Sequence, residues 1–285
     1  MPTRGHHDEY DRAATQRCER ALVTLLGDLG PWRERIYLVG GLAPRYLVGS
    51  LPAGAEPHVG TTDVDLVVGV ALGEDEPETY RTLHTNLIRS GFRQATPSFA
   101  WQRSVDGLTV TVEFLCETDA VPAGDIFRPR EGTGSKLAAF NVRGALLARD
   151  DFVEITIEGE RLDDGGMSRV DLRIANVLPY VTLKILAFQD RHQNKDAYDL
   201  VYTLLNAPDG PRAAGERARS SPVRSDERVA EALDLLGERF ADTDQDGPAS
   251  YARFLAAPDA ADDEAARLRQ QAVATIRAFL RGLAP

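Results

Sequence analysis

With 285 residues the chain can bury a sizeable core, and it is expected to do so as one α/β unit with a helical annex. Its 33 basic and 44 acidic residues leave a formal net charge of −11, which excludes whole-protein attraction to nucleic acid and demands a local basic patch of any RNA-binding reading. Two cysteines, Cys18 and Cys116, exclude a disulfide framework and a thiolate zinc site, and no apolar stretch approaches bilayer length. No signal-peptide pattern opens the sequence, so a cytoplasmic location with no membrane partner is expected.

Along the chain, His6-His7 reads as a flexible end. Residues 8 to 28 follow, with helical periodicity through Ala14, Cys18, Ala21, Leu22, Leu25 and Leu26. Arg35 to Val39 reads as a buried strand, and Gly40-Gly41-Leu42-Ala43 as a tight turn opening a helix through Arg45 to Val48. Glycines at such a junction let backbone amides approach a phosphate at the positive end of the helix.

Asp63 lies 22 residues after Gly41, within Thr61-Thr62-Asp63-Val64-Asp65-Leu66-Val67-Val68. Carboxylates two apart on a strand share one face, while Val64, Leu66 and Val68 face a core. Two negative charges pressed together raise each other's pKa unless a cation lies between them. Mg²⁺ is held by one or two carboxylates plus substrate phosphates. The pair therefore points to phosphate chemistry.

An acidic loop at Glu74-Asp75-Glu76-Pro77 precedes a helix near Glu78 to Arg89. Phe99 to Val105 and Leu108 to Leu115 flank Asp106-Gly107, a hairpin signal. In the second of these strands Leu108, Val110, Val112 and Phe114 share the core face, and Thr109, Thr111 and Glu113 the polar one. Glu113 is thus a candidate third ligand of a metal pair about 4 Å apart. Strands are expected at Asp151 to Glu158 and Arg169 to Ala175, around Asp163-Asp164-Gly165-Gly166.

From Val177 onward the pattern is helical: Leu183 to Phe188, Tyr198 to Leu205, Val229 to Leu236 and Ala265 to Leu283. The link Asn206 to Asp226 and the run Ala241 to Gly247 read as breaks. Two domains follow, residues 1–175 and 176–285. Arg191, Lys195 and Asp199 lie 7, 11 and 15 residues after Lys184, within one stripe of a helix, unless the polar run Gln189 to Asp196 breaks it into two helices with Asn194 as the cap. Candidate basic patches are Arg128, Arg130, Lys136, Arg143 and Arg149, or Arg212, Arg217, Arg219 and Arg224; the latter group falls in a stretch expected to be a mobile surface loop. Zinc-protease, nucleophile-elbow and P-loop signatures are absent.

Gly40-Gly41, the Thr-x-Asp-x-Asp run and the later acidic strand resemble the DNA-polymerase-β-type nucleotidyltransferase superfamily. Val181 to Arg191 followed by Lys195-Asp196-Ala197-Tyr198-Asp199-Leu200 is similar to its AbiEii/AbiGii-type branch, toxins of bacterial abortive-infection and toxin–antitoxin systems. The resemblance covers roughly residues 35 to 205. It implies an α+β fold, with a mixed twisted sheet flanked by helices as the nucleotidyltransferase core and a C-terminal helical region completing the cleft. It also implies Mg²⁺, or Mn²⁺, on Asp63, Asp65 and Glu113. A nucleoside triphosphate would lie against Gly40, Gly41, Thr61, Thr62, Lys184 and Arg191, with Asp199 as the late acidic residue of the site.

Two departures stand out: Val59 where the family often has Arg, and Glu113 where Asp is common. The acceptor implied is RNA, for example a tRNA 3′ end, with a separate antitoxin as partner. Two alternatives remain open: a small-molecule nucleotidyltransferase of the aminoglycoside-modifying kind, which suits the acidic charge, and a non-catalytic nucleotide-binding module.

Overall fold

The computed structural model describes residues 6–48, 50–51, 54–68, 77–105, 107–128, 137–162, 165–256 and 262–284. Asp106, the acidic loop at 74–76, Arg130, Lys136 and the Asp163-Asp164 pair lie outside these residues. In chain order the elements are helix α1 (Arg12–Asp28), strand β1 (Ile36–Val39), helix α2 (Pro44–Leu47), strand β2 (Asp63–Val68) and helix α3 (Pro77–Arg89). Strands β3 (Arg93–Gln94), β4 (Ala100–Val105), β5 (Leu108–Cys116), β6 (Ile126–Phe127) and β7 (Ala139–Asn141) follow. Helix α4 (Leu147–Asp150) then leads to β8 (Phe152–Glu160) and β9 (Met167–Ala175). The rest is helical: α5 (Val177–Arg191), α6 (Asn194–Leu205), α7 (Gly210–Ala218), α8 (Glu227–Arg239), α9 (Asp246–Leu255) and α10 (Asp262–Leu283). Among the described residues no helix is long and apolar enough to cross a membrane.

The chain divides into two compact units. Residues 12–43 and 60–175 form a sheet unit; residues 1–11, 44–59 and 176–285 form a helical unit.

The sheet unit has an α+β architecture, a mixed sheet with helices packed on it. Its strand order is β3-β4-β5-β2-β1-β9-β8, with β7 beside the end of β5 and β6 beside β7. Pairing is antiparallel for β4–β5, β1–β2 and β8–β9 and parallel for β2–β5 and β1–β9. The interior strands β1 and β2 follow the apolar runs in the sequence: all four residues of β1 are buried, as are Val64, Leu66, Val67 and Val68 of β2. Helix α1 covers the sheet with Cys18, Leu22, Leu25 and Leu26, the stripe its periodicity marks. Its first turn is at Arg12 rather than residue 8.

In the helical unit the second of the two open readings holds, and the run forms two helices. Helix α5 stops at His192, which takes a left-handed conformation at φ 51°, and α6 starts after Gln193, so Gln193 and not Asn194 is the N-cap. The stretch expected to be a mobile loop around Arg212 and Arg217 is largely helix α7. Its missing apolar stripe explains the misreading: α7 packs through glycine. A Cβ on Gly215 would collide with the Phe279 carbonyl oxygen of α10, and one on Gly282 of α10 would collide with the Arg212 carbonyl oxygen. The two helices therefore touch backbone to backbone, a contact that hydrophobic periodicity does not register.

This contact yields the first prediction. Gly282→Val should destabilise the protein by about 1–3 kcal/mol or more, because rigid backbone rather than a side chain must move. Equilibrium urea unfolding measures it; a midpoint equal to wild type would refute the close approach.

Candidate functional site

Strands β2 and β5 run parallel with Asp63 opposite Thr111, Val64 opposite Val112 and Asp65 opposite Glu113. Register partners on neighbouring strands point to the same face, and residues two apart share it. Asp63, Asp65 and Glu113 therefore emerge on one side of the sheet, each half-buried, while Val64, Val112 and Phe114 fill the opposite side. The pairing that apposes Asp65 and Glu113 is set by a buried apolar face, where a one-residue slip would turn the valines outward.

Two neighbours hold this acidic face. The Thr61 hydroxyl donates to Asp63 Oδ1 at 2.5 Å. Thr61 is itself pinned to α1: its N–H donates to Thr15 Oγ1 at 3.1 Å, and its carbonyl accepts from the Thr15 hydroxyl at 3.4 Å and from Cys18 Sγ at 3.8 Å. Burial pushes the Cys18 thiol up to about 12, with Asp63 the next cause, so it stays a neutral donor. Gly40 is the second neighbour. Its φ is +68°, and a Cβ there would overlap Asp65 Oδ2. Glycine at position 40 leaves space that the Asp65 carboxylate uses.

The turn itself differs from expectation. Gly40–Leu42 is a single 3₁₀ turn, and the helix beyond, α2, has only four residues. So short a helix carries little macrodipole, and the phosphate-cradle argument for Gly40 and Gly41 no longer rests on a helix terminus. Gly41 is buried and Thr62 half-buried.

The donor chemistry of Asp63, Asp65 and Glu113 fits a hard divalent ion: oxygen ligands only, from adjacent strands, each half-buried. The three carboxylates are not among the groups of described side chains whose ligand atoms close within 4.8 Å of one another.

Lys184, Arg191 and Asp199 belong to the helical unit, where they form part of a buried ion network. The reversal at His192 and Gln193 brings α6 back along α5. Lys184 Nζ then lies 2.6 Å from Asp199 Oδ2 and 3.1 Å from Asp196 Oδ1. Arg191 binds Asp196 through two hydrogen bonds of 2.7 Å. Lys195 Nζ reaches both oxygens of Asp199, at 2.9 and 3.0 Å. From the segment ahead of Val59, His58 Nε2 donates to Asp199 Oδ1 at 2.9 Å, stacked on Tyr198 and edge-on to Tyr202.

Burial alone would lower the Lys184 ammonium, but Asp199 and Asp196 overcome it and hold its pKa well above the ordinary value. Burial would likewise raise Asp199, yet Lys184, Lys195 and the His58 hydrogen bond keep it well below the carboxylate range. Asp199 is fully buried and Lys184 6% exposed. Lys184, expected at the triphosphate, and Asp199, expected as the late acidic residue of the site, thus lie together in one buried ion network. Arg191, though partly exposed, is committed to Asp196. His58, Lys195 and Asp196 are members that the sequence reading assigned no role; Lys195 and Asp196 lay within the quoted motif, whereas His58 carried no signal of its own.

No family model matches the chain, and no curated protein matches its sequence significantly.

Two predictions follow from the network. Lys184→Met should cost about 3–5 kcal/mol in urea unfolding, since it removes the cation shared by two buried carboxylates. A loss below 1 kcal/mol, on the order expected of an exposed pair, would refute this structural role. The second concerns acid stability. Burial lowers His58 to about 4, so it is neutral at pH 7. With a lower pKa in the folded than in the unfolded state, His58 binds its proton more readily when unfolded. Its contribution is complete above about pH 6.5 and is lost as pH falls toward 4, at about 1.4 kcal/mol per unit. His58→Gln should flatten the wild-type decline in unfolding free energy between pH 6.5 and 4; an unaltered slope would contradict the assignment.

Proposed function

We propose that this chain is a Mg²⁺-dependent nucleotidyltransferase that moves a nucleoside monophosphate from a triphosphate to an acceptor. The observation carrying the proposal is the in-register pairing of Asp65 with Glu113, with Asp63 on the same face two residues away. Three oxygen-donor side chains thus occupy neighbouring register positions on one face of the sheet. Asp63, Asp65 and Glu113 would hold the metal, which when bound supplies charge neutralisation for the transferring phosphate.

The chain's own contributions are positioning ones. Thr61 fixes the orientation of Asp63, α1 fixes Thr61 through Thr15, and Gly40 keeps clear the space beside Asp65. With Asp199 withdrawn into the interior, Glu113 is the carboxylate left to take the acceptor proton. Lys184 and Arg191 act by shaping the helical unit rather than by touching phosphate.

The acceptor is a separate question. Of the arginines considered for RNA, Arg149 is paired with Asp150, Arg212 with Glu216 and Arg217 with Asp209. Incubating the protein with radiolabelled triphosphates, total RNA and, separately, a panel of aminoglycosides decides it. Label in RNA supports the abortive-infection-type reading with an antitoxin partner, and label on a drug the small-molecule one. Asp63→Ala combined with Asp65→Ala should reduce labelling at least about a hundredfold. Equal label in variant and wild type would remove the site. Magnesium-dependent triphosphate binding without transfer to any acceptor would instead favour a non-catalytic module, a reading consistent with the interior placement of Lys184.

A further inference from the structure

Val59 ends the second segment of the helical unit, and Gly60 opens the second segment of the sheet unit. Each side of the peptide bond between them is held by polar contacts within its own unit. In the helical unit the residues up to Val59 lie on α6. The Tyr202 hydroxyl donates to the Glu56 carbonyl oxygen at 3.1 Å, His58 Nε2 donates to Asp199 Oδ1, and the Val59 N–H donates to the Tyr198 hydroxyl at 3.1 Å. In the sheet unit Gly60 lies against α1 at φ +87°, where a Cβ would overlap Thr15 Oγ1. Thr61 follows, bonded to Thr15 through its N–H and carbonyl and to Asp63 through its hydroxyl.

Val59 lies in a stretch that is neither helix nor strand, and its N–H is accepted by a side chain rather than by a ladder carbonyl. The Tyr198 ring is buried, with its centroid 4.8 Å from that of Phe254 and 5.1 Å from that of His58. Phenylalanine would fill the same space. What the hydroxyl adds is the acceptor for Val59, and burying a hydroxyl carries a desolvation cost that such a bond offsets. The neighbouring His58 contact differs in kind, since it completes the charge balance around Asp199.

We propose that Tyr198 is a positioning residue for the acidic face: by fixing Val59 it restrains the turn at Gly60 and keeps the Thr61 hydroxyl on Asp63 Oδ1. The inference rests on the reading of Asp63 as a metal ligand and extends it to α6. Gly60 has a bonded residue on either side, Val59 on Tyr198 and Thr61 on Thr15, so the left-handed turn between them has little freedom left. Releasing Val59 restores rotation there, and the Thr61 hydroxyl is the group whose direction changes with it. A carboxylate held less firmly in direction binds its ion less tightly.

The test uses the full-length protein with Tyr198→Phe and, for comparison, Tyr202→Phe. Amide hydrogen exchange at Thr61 should quicken about threefold to tenfold in Tyr198→Phe, the range that loss of one hydrogen bond confers. Exchange at Leu38 in β1 should match wild type, and Tyr202→Phe should leave Thr61 unchanged. Titration with Mn²⁺, followed by the paramagnetic resonance of the free ion, should show binding at least about threefold weaker in Tyr198→Phe. Unchanged Thr61 exchange in Tyr198→Phe, equal quickening at Leu38, or equal quickening in Tyr202→Phe would overturn the positioning role. So would an unaltered Mn²⁺ affinity in Tyr198→Phe when Asp63→Ala/Asp65→Ala abolishes binding. Mn²⁺ binding that is absent from wild type, or survives in Asp63→Ala/Asp65→Ala, would instead bring down the metal reading, and Thr61 exchange then decides the role of Tyr198 by itself.

Discussion

Parallel register between two short strands is the constraint on which the functional reading depends. β2 and β5 are locked by valines and phenylalanine on one face, and the polar residues on the other face have no choice of neighbour. Hydrophobic burial, not electrostatics, does the positioning. Three carboxylates gather because the core chemistry behind them is satisfied in only one alignment. Thr15, Thr61 and Gly40 then refine a placement that the sheet has already made.

The helical unit solves a different problem with the same residue types. Asp196 and Asp199 are interior and each is met by more than one donor, so their negative charge is neutralised internally. Taking such groups out of water is costly, and the attraction between them offsets that cost only when geometry and hydrogen bonding are both good. The His58 ring, held between two tyrosines, completes the set. Asp63, Asp65 and Glu113 on the sheet are half-buried on one face, and Asp196 and Asp199 on α6 are fully interior and enclosed by cations. That contrast separates a candidate metal-binding face from an internal tie.

Much of the architecture was legible because it rests on local patterns. The alternation in β5, the apolar runs of β1 and β2, and the periodicities of α1, α8 and α10 are short-range consequences of burial. What escaped has physical reasons. Helix α7 lacks an apolar stripe because its contact is made by Gly215 against backbone. The break between α5 and α6 was one of two open readings, decided by a left-handed His192 that nothing in its side chain announces. The fate of Lys184 and Asp199 depends on that reversal, since helical spacing alone is indifferent to whether a charged face meets solvent or its own chain. On the sheet, by contrast, spacing was enough to set Asp63 and Asp65 on one face, while the partnership of Asp65 with Glu113 required strand order, which no local pattern carries.

Asp199 joins parts of the polypeptide that are far apart along it, His58 being 141 positions earlier. A mutation at any one of His58, Lys184, Arg191, Lys195, Asp196 or Asp199 alters the charge balance felt by the others. Tolerated variation at these six sites should therefore be concerted, with acidic and basic members lost or exchanged together, and single drift there should be rarer than at ordinary core positions of similar depth.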